Sequence, residues 1–360
     1  MKLYIILILL IPLTVLAEVE QQTFTVGVTV PLTGDFASYG EKIKRAVELA
    51  KEDLEDENIS LKVRYEDACL PAAAVSAINK LVLVDKIQGL AANFCVIAMP
   101  AMASIIEKNQ IPSFHSAIAS DSILNIGGYV FTTDIKVRTE AKKLAEYAYN
   151  VLNARSAGIL NIETDFGIDY QKYFSVRFKE LGGKIVFSQS QSIGVNDFRS
   201  ELSNLKSKNP DVILSAHLGL TLGVLLKQAR QLGIKTQILG TNEAGDISVR
   251  EIAKEHANGL LFFVPEPEIK SEKIKIFEEK YLEKYKSNPT LYESSSYDST
   301  MVLVNALSAC KGNASCAKKK ILELKIYDGV SGRFNLIGTD ESSRHFVLKT
   351  IKSGNVEIVN

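Results

Sequence analysis

The chain has 360 residues, 46% of them apolar, and its 42 basic and 42 acidic side chains give a formal net charge of zero. That length holds one large or two ordinary globular domains with sizeable cores. The balanced charge excludes both the broad basic face that nucleic acid or an anionic membrane demands and the acidic excess of a disordered tail, so binding must be local. With no Trp, an aromatic pocket has to be built from the 13 Tyr and 15 Phe.

The first stretch, MKLYIILILLIPLTVLA, carries one cation at Lys2, a short apolar run and then Val15-Leu16-Ala17. This is the layout of a secretory signal over residues 1–17, cleaved ahead of Glu18. The run is too short for a comfortable permanent span, and nothing later is long enough to cross a bilayer. No Cys stands at the junction to take a lipid. An exported, untethered protein of the periplasm is the expectation.

FTVGVTV reads as the first strand, ended at Pro31. PLTGDFASYG follows as a Gly-flanked polar loop carrying Tyr39, and then Ile43, Val47, Ala50 and Leu54 recur at helical spacing before the strand LKVRYED. Helix AAAVSAINKLVLVDK, strand GLAANF, helix MASIIEKN and strands IPSFHS and YVFTT continue the alternation. Its natural outcome is a parallel sheet with helices on both faces.

Near Asp134 the rhythm restarts with helix VRTEAKKLAEYAYNVLN, strand SAGILNI and helix YQKYFSVRFKEL, stopped at Gly182-Gly183. KIVFSQS, FRSELSNLKSK, DVILSAH, TLGVLLKQARQL, QILGT, a helix from Ile247 to His256 and GLLFFV keep the same beat until Pro265 and Pro267. EKIKIFEEKYLEKYKS and SYDSTMVLVNALSAC are helical runs without intervening strands, expected to return to the first domain. HFVLKTIKSGNVEIV reads as a hairpin turning at SGN.

In an oxidising compartment Cys69, Cys95, Cys310 and Cys316 form an even set with three possible pairings. Cys69 and Cys95 each follow a strand and fall at one edge of a parallel sheet, while Cys310 and Cys316 flank KGNAS between helices. These placements favour 69 with 95 and 310 with 316. No CxxC and no His at ligand spacing supports a metal site. GxGxxG after a strand, GxxxxGK[ST], HExxH and GxSxG are also missing, which argues against an enzyme. His115, His217, His256 and His345 are scattered. The first two end strands and read as structural, and one of Asp165 and Asp169, which flank Phe166-Gly167, is expected to cap the next helix.

In order and spacing, PLTGDFASYG, YEDAC with a cysteine one βα unit later, IPSFHSAIAS, DFGIDY, LLKQARQLGIKTQILGT and SYDSTMVLVNAL resemble the leucine/isoleucine/valine-binding branch of the type I periplasmic binding proteins. The resemblance covers nearly the whole chain after the signal. It implies an α/β fold of two doubly wound, Rossmann-like lobes, residues 23–135 plus 264–333 and 136–263 plus 334–360, joined by three hinge crossings. It further implies hinge closure on a small ligand, an inner-membrane ABC permease complex as partner, no cofactor, no nucleic acid and a monomer. A sensory subunit of the same fold is the rival reading.

Site residues follow one by one from the same resemblance. Tyr39 corresponds to an aromatic wall of the cleft. The Ser that holds a ligand carboxylate just after the second cysteine is replaced here by Val96, leaving backbone N–H groups from Val96 to Ala98 for an anion. Ile118-Ala119-Ser120 matches an Ala-x-Thr element, with Ser120 keeping the hydroxyl. Phe166 keeps a ring without its phenol, and Gly219, after DVILSAH, is a further cleft position. An acid after TQILGT pairs with an ammonium in similar receptors; here the gap-free match is Asn242, with Glu243 beside it. Tyr297 matches another cleft aromatic. The expected ligand is amino-acid-like, or a small carboxylate or amide.

Overall fold

A computed structural model describes residues 21–34, 36–266, 270–336 and 345–359; the signal-like segment 1–17 lies outside the described residues. The first sheet is built by β1 (Gln22–Val30), α1 (Ala37–Asp56), β2 (Ile59–Asp67), α2 (Pro71–Leu83), β3 (Gly89–Asn93), α3 (Ala98–Lys108), β4 (Ser113–His115), α4 (Asp121–Leu124) and β5 (Val130–Thr132). Its five strands run parallel in the order β2-β1-β3-β4-β5. Both faces are covered, so β1 buries Val26, Val28 and Val30 and β3 is buried throughout.

The second round comprises α5 (Val137–Asn150), β6 (Ser156–Ile162), α6 (Asp165–Glu180), β7 (Lys184–Gln191), α7 (Arg199–Ser207), β8 (Val212–Ala216), α8 (Gly219–Gln231), β9 (Gln237–Gly240), α9 (Ile247–Ala253) and β10 (Leu261–Pro265). There follow α10 (Glu272–Tyr285), α11 (Leu291–Ala309), α12 (Ala314–Leu324), β11 (Ile326–Gly329), β12 (Gly332–Asn335), β13 (Phe346–Lys352) and β14 (Asn355–Ile358). The second sheet has the order β14-β13-β10-β9-β8-β6-β7, five parallel strands extended by an antiparallel hairpin. Ser353 and Gly354 turn that hairpin at φ 49° and 80°, the left-handed pair that a two-residue turn requires.

The helices beyond Pro267 pack on the first sheet. Leu303 of α11 lies so close to β3 that a Cβ on Gly89 would stand 2.7 Å from it. Tyr285 donates to the Arg45 carbonyl of α1 at 3.0 Å. Asp298 of α11 accepts from the backbone N–H groups of Val330 and Ser331, fastening the β11–β12 turn to the same lobe. The chain therefore passes between the sheets after β5, after β10 and between β12 and β13. At the first passage Thr133 is tied twice to α11: its hydroxyl donates to the Ser295 carbonyl at 2.9 Å, and Ser295 Oγ donates to the Thr133 carbonyl at 3.4 Å.

Three local readings change. Tyr39 sits in the first turn of α1 rather than in the loop before it, because Gly34, at φ 75°, completes the turn early and α1 starts at Ala37. Gly40 permits this start, since a Cβ there would fall 1.8 Å from the Pro31 carbonyl oxygen. Neither Asp165 nor Asp169 caps α6: Thr164 Oγ1 accepts from the Gly167 N–H, and Asp169 accepts from the Asp121 N–H of α4. Finally, α11 begins at Leu291, ahead of the SYDS run, under a capping box of Thr290 and Glu293.

Candidate functional site

Parallel sheets present loops and helix N-termini beyond the carboxyl ends of their strands, and these ends of the two sheets border a partly open cavity of about 130 Å³. The first lobe contributes Phe36, Phe94, Val96, Ile97, Ile118 and Tyr292, with the Cys69–Cys95 pair at the wall. The second contributes Ile162, Thr164, Phe166, Ile193, Leu218 and Glu243. The lining is almost wholly apolar. On the far side of Glu243 and Tyr292, which line both spaces, a larger groove of about 710 Å³ is bounded by Lys42, Arg45, Asn242 and Asp246.

Tyr39 anchors the aromatic side. Its ring stacks on Phe94 at 5.0 Å and meets Tyr292 edge-on at 5.3 Å, with Phe94 and Tyr292 themselves 5.4 Å apart. The hydroxyl is buried and has no partner. It reaches the other lobe, where a Cβ on Gly219 would lie 3.3 Å from it. Burial, then the nearby Glu243 and Asp246 carboxyls, push this phenol up.

Glu243 faces it from the short turn Asn242–Gly245 that follows β9. Its side chain is buried and Oε2 has no partner. Burial, followed by the acids Asp246 and Asp134, holds the carboxyl well above its ordinary range, while Lys42 opposes the shift. Asp246, next along, behaves differently. Burial raises it, but the Lys42 ion pair at 2.6 Å and the Ser248 N–H at 2.9 Å bring it below the usual range, and it caps α9.

Of the sequence-derived positions, Val96, Ile118, Phe166 and Glu243 line the cavity, while Tyr39 and Gly219 abut each other and Tyr39 backs the wall through Phe94 and Tyr292. The others lie elsewhere. Ala98 opens α3 with its N–H already given to the Cys95 carbonyl at 3.0 Å. Ser120 precedes α4, and its hydroxyl pairs with Ser122 Oγ at 2.8 Å. Asn242 borders the larger groove, its N–H held by Glu140 at 2.8 Å. Tyr297 donates to Asp53 at 2.6 Å and packs on Phe277, away from the cavity. Tyr292 takes its place because five residues advance a helix by about 1.4 turns and carry the two rings to different faces.

Glu140 escaped the sequence reading. It accepts from Tyr170 Oη at 2.7 Å as well as from Asn242, and burial pushes it up to about 8 despite both bonds. The signal was an acid inside the apolar stripe Val137, Ala141, Leu144 of α5. The strand-ending histidines are enclosed within their own lobes. His115 Nδ1 meets Asn93 Oδ1 at 2.9 Å, and His217 lies between Ser215 and Gln191 at 3.1 Å from each. Both disulfides join the expected partners, Cys69 with Cys95 and Cys310 with Cys316, at Cα separations of 5.1 and 5.7 Å. Among the described residues no group of three His, Cys, Asp or Glu is placed to hold a metal ion, and no helix is long and apolar enough to cross a membrane.

Two α/β lobes facing a shared apolar pocket define a two-lobed fold, and known proteins agree. The profile of the periplasmic binding protein family matches residues 23–346, and the chain belongs to that family, whose members are extracytoplasmic solute-binding proteins. A Leu/Ile/Val-binding protein of Citrobacter freundii is 26% identical over 247 residues, 67% of each chain. The crystal structure of a leucine binding protein from Thermotoga maritima superposes with a TM-score of 0.85 at 24% identity, covering 94% of this chain and 98% of that one. The crystal structure of an ABC transporter solute binding protein from R. palustris in complex with benzoate gives 0.83 at 18%, covering 94% and 95%.

Proposed function

We propose that the protein is the extracytoplasmic receptor of an ABC importer, exported by its 1–17 segment and acting as an untethered monomer. Its two lobes, between which the chain crosses after β5, after β10 and between β12 and β13 rather than at 263/264 and 333/334, close on a small apolar metabolite bearing an amine, carboxylate or amide head. One observation carries this reading. Two buried polar atoms without partners, Tyr39 Oη from one lobe and Glu243 Oε2 from the other, meet where the lobes join, beside an apolar cavity that Glu243 lines together with Phe94 and Tyr292, the rings packed on Tyr39.

Leaving such an atom unsatisfied costs about 1–3 kcal/mol. A ligand that gives each a partner contacts both lobes only when they are together, and this differential affinity is what drives a closure equilibrium. A permease can then read the joined lobes as the signal that cargo is aboard. The relatives support the class: the structures with similar folds carry isoleucine in one case and benzoate in another.

The test is native mass spectrometry of the purified chain, followed by thermal-shift titration of amino acids, amides, amines and aromatic acids. A ligand at about 100 times its dissociation constant adds about 2.7 kcal/mol of stability. Recovery of the titrated compound unchanged supports a receptor, and its conversion to a product overturns one.

A further inference from the structure

We propose that the cavity selects a small apolar organic cation, an aliphatic or aromatic amine without a carboxylate. This rests on the receptor reading and narrows its ligand. Among the described residues Glu243 is the one titratable side chain on the cavity wall apart from Tyr292, and no Lys, Arg or His lines it. The carboxyl is unpartnered at Oε2 and buried, so an ammonium brought against it gains a charge-assisted bond on an apolar wall.

The aromatic side suits the same charge. Phe94 and Tyr292, backed by Tyr39, line the cavity beside Glu243, and ring faces attract cations through their quadrupole. Lys42 Nζ already lies 5.2 Å from the Tyr39 centroid, on the side of the larger groove. That ammonium is committed to Asp246 and does not line the cavity.

An anion meets no cationic side chain among the described lining residues, only the Thr164 and Tyr292 hydroxyls and the Val96 and Ile97 backbone. Val96 brings no hydroxyl, and the Ala98 N–H is spent on Cys95. The Ala119 N–H is spent on the Ile135 carbonyl at 2.8 Å, and Ser120 is turned to Ser122. A carboxylate in the cavity would also meet the field of Asp134, Glu140 and Asp246 around Glu243, opposed by Lys42. The volume fits a compact body, since about 130 Å³ is close to the ~150 Å³ apolar cavity that accommodates benzene.

The experiment is calorimetric titration of the full chain with two matched series. Isoamylamine, leucine, isovalerate and isovaleramide share one apolar body; phenethylamine, phenylalanine and hydrocinnamate share another. The expected result is that one or both amines bind at least about 30-fold more tightly than the amino acid and acid of the same body. Glu243→Gln should weaken that amine by a similar factor while the ligand-free melting temperature stays level or rises; Glu243→Asp serves if the Gln variant fails to fold. Equal or tighter binding of an amino acid, acid or amide overturns the amine proposal and leaves the receptor reading standing. Amine binding that survives both variants overturns it too. If no head group binds and no compound copurifies, both readings fall.

Discussion

Lys42 of α1 and Asp246 at the start of α9 join the two lobes directly: Nζ lies 2.6 Å from Oδ2, and the Asp246 side chain is only 4% exposed. With the lobes as they stand the Asp246 charge depends on this partner, which water would replace on the opening proposed above. Lys42→Ala therefore removes stability from closure specifically. Stripping a partner from a buried pair costs about 3–5 kcal/mol, less here because Lys42 is partly exposed. The variant should show a larger radius of gyration by small-angle scattering and a ligand affinity lower by about tenfold or more.

Tyr39→Phe keeps the stack on Phe94 and removes the orphaned hydroxyl. Without ligand the variant should melt at the same temperature or slightly higher, because an unsatisfied buried group has gone. If that hydroxyl holds the ligand, affinity falls by about 1 kcal/mol or more. Differential scanning fluorimetry with and without ligand separates the two effects, and a lower melting point without ligand would contradict the geometry.

Gly40→Ala places a methyl 1.8 Å from the Pro31 carbonyl oxygen, too close for any rotamer to relieve. The first turn of α1 must shift and take Tyr39 with it. A loss of about 1–3 kcal/mol in denaturant melts is expected, together with weakened binding. Gly34→Ala, with open space around it, is strained by its φ of 75° alone and should leave binding less affected.

The pH profile of stability has two limbs. Burial holds His115 at about 4 and His217 at about 3, against 6.5 when unfolded. The unfolded chain thus takes up protons that the folded chain refuses, and stability falls as pH drops below about 6.5 toward 3. Glu140, raised by burial to about 8, keeps a proton that the unfolded chain releases near 4.5, so its contribution falls as pH rises from about 4.5 to 8 and is flat above. Glu140 is faced by Tyr170, the Asn242 N–H and Asp134; His217 by Ser215, Gln191 and Phe198; His115 by Asn93. His217→Asn should flatten the acid limb and Glu140→Gln the neutral one, each by up to about 1.4 kcal/mol per pH unit.

The two disulfides differ in span, 26 residues for Cys69–Cys95 and 6 for Cys310–Cys316. Loop-closure entropy assigns them about 3.5 and 2.2 kcal/mol respectively. Replacing Cys69 and Cys95 with Ala should therefore lower the midpoint in urea more than replacing the other pair. It should also change ligand affinity, because these two residues form part of the cavity wall.

The alternating elements, the return of α11 to the first sheet and both cysteine pairs were legible because they follow from local periodicity and strand order. Side-chain address was harder. Tyr297 and Tyr292 lie on one helix, and only its starting point decides which ring enters the cavity. Thr290-x-x-Glu293 encodes that start and was readable as a capping box. Ser120 and Ala98 have the right chemistry, but Ser122 and the Cys95 carbonyl absorb it, and such local partners emerge only from backbone conformation. Glu140 became visible as a partner of Asn242 because the fold joins positions 102 residues apart.

The double fastening of Thr133 to Ser295 also sets where the protein can bend. With that residue riveted to α11, the first strap between the halves behaves as part of the stationary body as far as Thr133. Beyond Thr133 the strap is fastened again, the Ala119 N–H donating to the Ile135 carbonyl at 2.8 Å and the Ala119 carbonyl accepting from the Val137 N–H at 3.0 Å, so the proposed closure has to work around two successive ties before α5.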